Sequence, residues 1–371
     1  MLDRRPRRPG VRLAFALLAA AGAAPALAAD KPWPLLKPSD GPLALSGSFG
    51  FDSKNPDPKE REKDIADLRR AASGVACGAP DRCLIAFDEG AEARLVTLTK
   101  DAYAPVGAPV VLGDLKEADA EAVAVDEPDQ AGARRYYVAG SHAVSRKRCK
   151  PNKDARHVWR FGVAADGGVS GPAESADLWK LAKTTELAPF LDKCLGTRSP
   201  EKEPGKTGER GFDIEGMAWR GGRLYFGLRG PSQGVTTSVL SVDAKALFEG
   251  GDAAAKVLPV EVGEKRAIRD MQSVKDGVLL LVGPDDDTRD DDPQPWPTWR
   301  LLLWDGESPV AQPIGEFDLS GVKPRKLAGC KDKHAKLEAM AATDQPNGWR
   351  IVMLSDGLCD GGPLWFDVAR P

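Results

Sequence analysis

Four acidic residues each begin one of a series of similar segments in this chain, and their matched positions indicate a shared role. They are Glu121, Glu215, Asp270 and Glu338, and Asp213 lies two residues before Glu215 on the same face of a predicted strand. Carboxylates that converge repel one another unless an arginine pairs with them, a proton neutralises them, or a hard cation binds several of their oxygens. The sequence therefore predicts either a Ca²⁺ or Mg²⁺ site formed by these five residues or a set of structural ion pairs.

Two arginines supply the opposite charge. Arg229 lies in a glycine-rich turn directly after a predicted strand, and Arg269 precedes Asp270. A planar guanidinium group can hold a phosphate or carboxylate of a ligand with two parallel hydrogen bonds. Both arginines are therefore ligand-binding candidates, although for Arg229 we favour a buried ion pair with Glu215 or Asp270.

His142 is the third ligand-binding candidate. It is one of 3 histidines in the chain, and it ends a predicted strand of the second repeat. At the mouth of a channel an imidazole in this position can act as a general base or as a metal ligand. The alternative is a histidine with a purely structural role.

The elements that position these residues form a degenerate repeat. Each of five segments has a polar first residue, a strand of small apolar residues, a turn, and a second strand rich in β-branched or aromatic residues. The segments begin at Ser73, Glu121, Glu215, Asp270 and Glu338. Their spacings are 48, 94, 55 and 68 residues, and three of these are closest to the roughly 40–50 residues of a four-stranded blade. This pattern predicts an all-β fold, a β-propeller of five or six blades, with a paired β-sandwich as the alternative.

The spacing of 94 residues indicates an insertion rather than an additional blade. Leucines recur among charged residues between about 173 and 211, which predicts a partly helical insertion there. The rest of residues 42–371 is predicted to form a single propeller domain. Within it, residues 42–51 are predicted to form a strand that completes the last blade, so that both ends of the domain share one sheet.

Residues 1–28 have the features of a secretory signal peptide. Five arginines precede a short apolar stretch, and small residues fit a cleavage site near Ala28-Ala29. Residues 29–41 are then an N-terminal linker. We therefore expect a periplasmic or secreted protein, whose net charge changes from −3 to −7 when residues 1–28 are removed.

The composition excludes two classes of partner. Lys and Arg number 52 against 55 Asp and Glu, so nucleic-acid binding is not expected, because it requires a basic surface. After the signal peptide no apolar run reaches the roughly 20 residues needed to cross a bilayer. We expect no membrane span in the mature chain, and a soluble monomer whose partner is a small molecule or a cell-envelope component.

All six cysteines lie in the exported part of the chain. An even number of cysteines in an oxidising compartment predicts disulfides, although six cysteines allow several connectivities. Cys77 and Cys83 flank a tight turn and would face each other across a hairpin. With neighbours paired in order, the predicted bonds are Cys77–Cys83, Cys149–Cys194 and Cys330–Cys359.

Several blocks of this sequence resemble an exported bacterial family known as domain of unknown function 3616. The blocks are residues 212–218 (FDIEGMA), 224–231 (LYFGLRGP), Gly140-Ser141-His142 and Ile268-Arg269-Asp270. The likeness spans about residues 43–368 and is most specific over 213–231. It implies a propeller fold and export, and it implies no activity. The repeated Glu-Gly or Glu-Ala step is also distantly similar to the esterase-like propellers of phytases.

Two functional classes stay open at this point. The first is a non-catalytic propeller that binds a small ligand, a polymer or a protein at a carboxylate-lined face of its channel. The second is a metal-assisted hydrolase of phosphoesters or carboxylesters, with Ca²⁺ or Mg²⁺ on the carboxylates and Arg229 or His142 in contact with the substrate. We favour the first, because the sequence contains no convincing nucleophile and no strict metal-binding motif. It leaves open whether the chain is an enzyme.

Overall fold

Five antiparallel sheets follow one another along the chain and close into a ring. A computed structural model describes residues 32–79, 81–145, 149–196, 210–288 and 297–371, and the predicted signal peptide lies outside the described residues. Residues Trp33–Pro371 form one compact unit. The prediction of an all-β propeller is therefore confirmed, with five blades.

The first two blades occupy the N-terminal half of the unit. Ahead of them lie β1 (Leu35–Leu36) and α1 (Pro58–Leu68). Blade 1 contains β2 (Ala72–Ala79), β3 (Arg82–Phe87), β4 (Glu92–Leu98), β5 (Tyr103–Pro105) and β6 (Val110–Val111). Blade 2 contains β7 (Ala120–Val125) and β8 (Arg134–Gly140) and, after the hairpin of β9 (Val144–Ser145) and β10 (Lys150–Pro151), β11 (Val158–Val163) and β12 (Ala173–Ser175).

The other three blades follow a short helix, α2 (Asp177–Ala182). Blade 3 contains β13 (Asp213–Arg220), β14 (Arg223–Gly230), β15 (Thr236–Asp243) and, after α3 (Ala244–Glu249), β16 (Lys256–Glu261). Blade 4 contains β17 (Arg266–Val274), β18 (Gly277–Pro284), β19 (Arg300–Trp304) and β20 (Gln312–Phe317). After the hairpin of β21 (Lys326–Leu327) and β22 (Cys330–Lys331), blade 5 contains β23 (Lys336–Gln345), β24 (Gly348–Asp356) and β25 (Leu364–Ala369).

The first strand of each blade lines the central axis. These inner strands, β2, β7, β13, β17 and β23, pack in that cyclic order, and β23 contacts β2. A separate apolar core fills the space between each pair of neighbouring blades. Because both faces of a blade are covered, its strands are continuous apolar runs rather than alternating ones. In β18, for example, every residue is buried.

The N-terminal segment closes the ring, but not with the residues that the sequence indicated. Asp40 forms an antiparallel bridge with Trp365 of β25, and β1 pairs in parallel with β20. Residues 42–51 contain no strand. Pro42 has no N–H for a ladder, and Phe49 packs into the core between blades 1 and 5 instead of extending a sheet.

A short helical segment lies between blades 2 and 3. Its α2 helix buries Leu178 and Trp179, and both side chains join the core between these blades. The segment Ala173–Ser175 is the outer strand of blade 2, so the insertion itself starts after it. Residues 197–209 of the predicted insertion lie outside the described residues.

The three predicted disulfides are confirmed. The bonds are Cys77–Cys83, Cys149–Cys194 and Cys330–Cys359. The first closes the hairpin of β2 and β3, and the second connects the loop after β9 to the insertion. None of the helices in the described ranges is long and apolar enough to cross a bilayer.

Candidate functional site

Each inner strand carries a bulge near its start, where one residue is left out of the pairing with the second strand of the blade. The five residues at these bulges are Ser73, Glu121, Glu215, Arg269 and Glu338. A bulge re-aims the extra side chain out of the regular ladder. Because the inner strands pack cyclically, these five side chains form a layer around the axis, which we call the bulge ring. It collects three carboxyls, one hydroxyl and one guanidinium at one end of the channel.

Asp270 lies outside the bulge ring, one residue after Arg269. Its carboxylate is fully buried and accepts the N–H of Met271 at 2.7 Å and the N–H of Met340 at 2.5 Å. Burial raises the pKa of Asp270 well above its usual range, although these backbone N–H groups act in the opposite direction. The repeat alignment that matched Asp270 with Glu121 is therefore one residue out, and Arg269 takes the matching position.

Two arginines neutralise one side of the bulge ring. Arg229 Nη1 donates to Glu215 Oε1 at 2.8 Å, and Arg269 Nη2 lies 3.3 Å from the other oxygen of the same carboxylate. Arg269 Nε also donates to Glu338 Oε2 at 2.7 Å. The ion pair predicted between Arg229 and Glu215 is confirmed.

The network of Arg229 extends outward to two further carboxylates. Its Nε atom lies 3.2 Å from Asp286 Oδ1, and Asp213 lies on the neighbouring strand, opposite Gly230. Burial alone would lower the pKa of Arg229, but the charges of Glu215, Asp286 and Asp213 outweigh it and raise that pKa. Asp213 therefore belongs to the surroundings of Arg229 rather than to the bulge ring.

The other side of the bulge ring lacks such neutralisation. Glu121 accepts a hydrogen bond from Ser73 Oγ, and Asp119 accepts one from Ser141 Oγ. Asp88 follows β3, and its Oδ1 atom is buried without a hydrogen-bond partner in the described part of the chain. No lysine or arginine among the described residues forms an ion pair with Asp88, Asp119 or Glu121. We call these three residues the acidic cluster.

Burial and mutual repulsion raise the pKa values of the acidic cluster. Burial, followed by the charges of Asp356 and Asp119, raises the pKa of Asp88 well above its usual range. Burial, with the charges of Glu215 and Asp88, does the same for Glu121. The pKa of Asp119 is raised to about 6, mainly by burial. Carboxyls of this cluster therefore keep protons at pH values where a surface carboxylate is ionised.

We expect pH to separate the stability of an Asp119→Asn variant from that of the wild type. A carboxyl whose pKa rises from 3.8 to about 6 on folding takes up a proton, so the stability it contributes is present at low pH and lost as pH rises through 6. Asparagine does not titrate, and its side-chain oxygen can still accept from Ser141. Between about pH 4.5 and pH 7.5 the melting temperature of the variant should rise by roughly 2–5 °C relative to the wild type. A constant difference across this range would contradict the raised pKa.

His142 lies beneath the insertion. Its Nδ1 atom is 2.9 Å from the carbonyl oxygen of Gly140, and its ring packs against Trp179 and Phe212. Its Nε2 atom is buried without a hydrogen-bond partner among the described residues. Burial lowers the pKa of His142 to about 4, so the imidazole is neutral near pH 7. Its charged neighbours are His157 and Arg156 rather than residues of the bulge ring.

Sequence reasoning missed Asp88, Asp119 and Asp286. Asp88 and Asp286 lie just after the second strand of their blades, and Asp119 lies just before an inner strand. A signal was present, since the second strands of several repeats end in or next to a polar residue. Which of these polar ends belong to one site depends on how the blades close around the axis.

Residues 172–290 match the family described as "Protein of unknown function (DUF3616)". This match confirms the predicted resemblance over that range. A comparison with curated proteins gives no match.

The solved structures that this chain matches share little sequence with it. A GH43 β-1,3-galactosidase with galactodeoxynojirimycin is 10% identical, with 81% of this chain and 91% of that chain covered and a TM-score of 0.41. A GH43 endo-arabinanase from Bacillus licheniformis is 10% identical, with coverages of 81% and 94% and a TM-score of 0.36. The major Malassezia sympodialis allergen Mala s 1 is 13% identical, with coverages of 81% and 78% and a TM-score of 0.34.

Proposed function

We propose that this chain is an exported propeller that binds a small organic cation at the bulge-ring end of its channel, without catalysing a reaction. Three disulfides support export to an oxidising compartment. The acidic cluster is the observation that carries the ligand-binding part of the proposal.

The acidic cluster contains three carboxyl groups, and no Lys or Arg among the described residues forms an ion pair with them. In addition to burial, the charge of Asp119 raises the pKa of Asp88, and the charges of Asp88 and Asp119 raise the pKa of Glu121, so ionising all three together costs free energy. A positively charged ligand group would remove that cost. Asp88 Oδ1 adds a buried acceptor that has no partner among the described residues, and a buried acceptor without a partner is unfavourable. An ammonium group meets both needs, because it carries a charge and donates hydrogen bonds.

Three of the carboxylates that the sequence predicted to bind Ca²⁺ or Mg²⁺ already have partners in the protein. Glu215 and Glu338 already pair with arginines, and Asp270 accepts two backbone N–H groups. In the part of the chain that the structure describes, no group of three or more His, Cys, Asp or Glu side chains is arranged to hold a metal ion. The metal-assisted hydrolase therefore remains the alternative, to be separated by experiment.

Isothermal titration with a matched pair of compounds tests the proposal. Putrescine and 1,4-butanediol share a four-carbon chain and differ in carrying ammonium or hydroxyl groups. We expect the wild-type protein to bind putrescine and not butanediol. Because the ligand competes with the protons of the acidic cluster, binding should release protons and should tighten by about tenfold between pH 5 and pH 8.

Glu121→Gln is the informative variant, because it removes a charge while keeping the shape of the side chain. It should weaken putrescine binding by about tenfold, whereas the exposed Glu249→Gln should leave it unchanged. Absence of putrescine binding at millimolar concentration would refute the cation proposal. A rise in melting temperature with Ca²⁺ that is lost in Glu121→Gln would favour the metal-assisted hydrolase instead.

A further inference from the structure

A cationic groove lies outside the propeller channel, between α1 and the β21–β22 hairpin. The groove has a volume of about 670 Å³, within the range of roughly 300–1,000 Å³ typical of small-molecule sites. Its cationic side chains are Lys59, Lys63, Arg69, Arg70, Lys326 and Lys331, and Glu62 is its one acidic lining residue. This concentration of positive charge contrasts with a chain whose net charge is −3.

The walls of the groove are held in place by hydrogen bonds and by a disulfide. Arg69 forms two hydrogen bonds with the carboxylate of Asp360, at 2.8 and 2.7 Å, and its Nη1 atom donates to the carbonyl oxygen of Ala328 at 2.6 Å. The disulfide Cys330–Cys359 fixes the hairpin to the end of blade 5. The hairpin wall is therefore built into the fold, so that ligand binding need not order it.

The lysines of the groove are available for a ligand. Lys59, Lys326 and Lys331 form no ion pair with any carboxylate among the described residues. Lys63 lies 3.5 Å from Glu60, and both side chains are exposed, so this pair contributes little. Arg70 pairs with Asp67, but its Nε atom is buried without a hydrogen-bond partner in the described ranges.

Helix α1 contributes to this surface, and its first half, residues 58–63, is exposed. It begins with Asp57 as its N-cap, and none of its 11 residues is buried. Lys59, Lys63 and Ala66 lie three or four positions apart and so share one helical face, which lines the groove. Lys59 and Lys63 are exposed on this face and are therefore free to contact a ligand.

We propose that this groove binds a small, multiply charged anion that carries clustered phosphate groups. Lysine ammonium groups bind phosphate as point charges, whereas Arg69 and Arg70 already donate within the protein and add their positive charge to the groove. Four lysines on two facing walls match a ligand with several phosphates better than one with a single carboxylate. This site is separate from the bulge ring and takes ligands of opposite charge.

Inorganic tripolyphosphate is a suitable probe for isothermal titration with the full chain. We expect the wild type to bind it with micromolar affinity, weakening as NaCl is raised from about 50 to 300 mM because salt screens exposed charges. Each wall can be tested separately with the double variants Lys59→Glu/Lys63→Glu and Lys326→Glu/Lys331→Glu. Either one should weaken binding by about tenfold or more.

Lys180→Glu/Lys245→Glu is the matched control, since both lysines are exposed on helices away from the groove. It makes the same change in net charge and should alter the affinity by less than about twofold. An equal loss in the control would show that the attraction is diffuse and would overturn the proposal. So would an absence of tripolyphosphate binding to the wild type at millimolar concentration, or a loss confined to one wall.

Discussion

Glu215→Gln should lower the free energy of unfolding by about 3–5 kcal/mol, because it leaves the buried Arg269 and the half-buried Arg229 without their shared carboxylate. Glu215 lies between Arg229 and Arg269 and contacts both. Glutamine keeps the shape and one oxygen but removes the charge. Chemical denaturation monitored by intrinsic fluorescence measures the loss, and Ca²⁺ should shift the melting temperature of neither protein if Glu215 acts only in the ion pair.

Glu249→Gln provides the comparison for this effect. Glu249 pairs with Arg160 at 3.1 Å on the surface, and 45% of its side chain is exposed. Exposed pairs contribute about 0–1 kcal/mol, so this variant should unfold almost as the wild type does. If Glu215→Gln also stays within about 1 kcal/mol of the wild type, the arginines do not depend on Glu215 for neutralisation.

Asp270→Ala should lower the free energy of unfolding by roughly 2–6 kcal/mol. It leaves two buried backbone N–H groups without an acceptor, at about 1–3 kcal/mol each. These N–H groups belong to Met271 and to Met340 on the next inner strand. Asp270→Asn keeps one acceptor oxygen and should cost less than the alanine variant. In chemical denaturation the free energy of unfolding should decrease in the order wild type, Asp270→Asn, Asp270→Ala if Asp270 accepts these two hydrogen bonds.

Asp305→Ala is the matched control for Asp270. The carboxylate of Asp305 also accepts two backbone N–H groups, from Glu307 and Ser308 at 2.8 and 2.7 Å, but in an exposed turn. Water can replace it there, so we expect a loss below about 1 kcal/mol. Equal losses in Asp270→Ala and Asp305→Ala would mean that burial does not amplify the role of Asp270.

The positions of the blades could be read from the sequence because most inner strands share the same local pattern. In four of the five inner strands a Gly or Ala follows the bulge residue, where neighbouring inner strands approach closely, and in blade 4 this residue is Asp270. A Cβ atom on Gly216 would lie 2.9 Å from the backbone of Asp270. Such close backbone contacts select Gly or Ala at this position in four of the five repeats. The apolar run of the second strand is the other feature that recurs in the sequence.

Aligning the repeats by their acidic residues places Asp270 one residue out of position, because the bulge position of blade 4 carries an arginine. The apolar framework gives the correct alignment: Ile214-Glu215-Gly216-Met217 matches Ile268-Arg269-Asp270-Met271 and Leu337-Glu338-Ala339-Met340. In this alignment Arg269 takes the bulge position. The ring contains one arginine among carboxylates because its two acidic neighbours, Glu215 and Glu338, need a shared cation.

The acidic cluster could not be assembled from sequence for a different reason. Asp88, Asp119 and Glu121 come from two blades, and their raised pKa values depend on burial that exists only after the blades have packed. No local pattern of residues records that burial. The same holds for the groove beside α1, whose two walls lie more than 250 residues apart in the chain.

The way the ring closes determines the order in which this protein can be completed. Ser39 donates to the carbonyl oxygen of Trp365, a partner 326 positions later. Strand β1 likewise cannot pair until β20 has formed. Contacts between such distant parts of a chain form slowly. The N-terminal segment of the unit is synthesised first but can pair only after β20 and β25 have been made. Until then blade 5 has an unpaired strand edge, which can pair with another chain. Pairing of the C-terminal strand with residues 39–40 is therefore the step that covers the outer edge of blade 5.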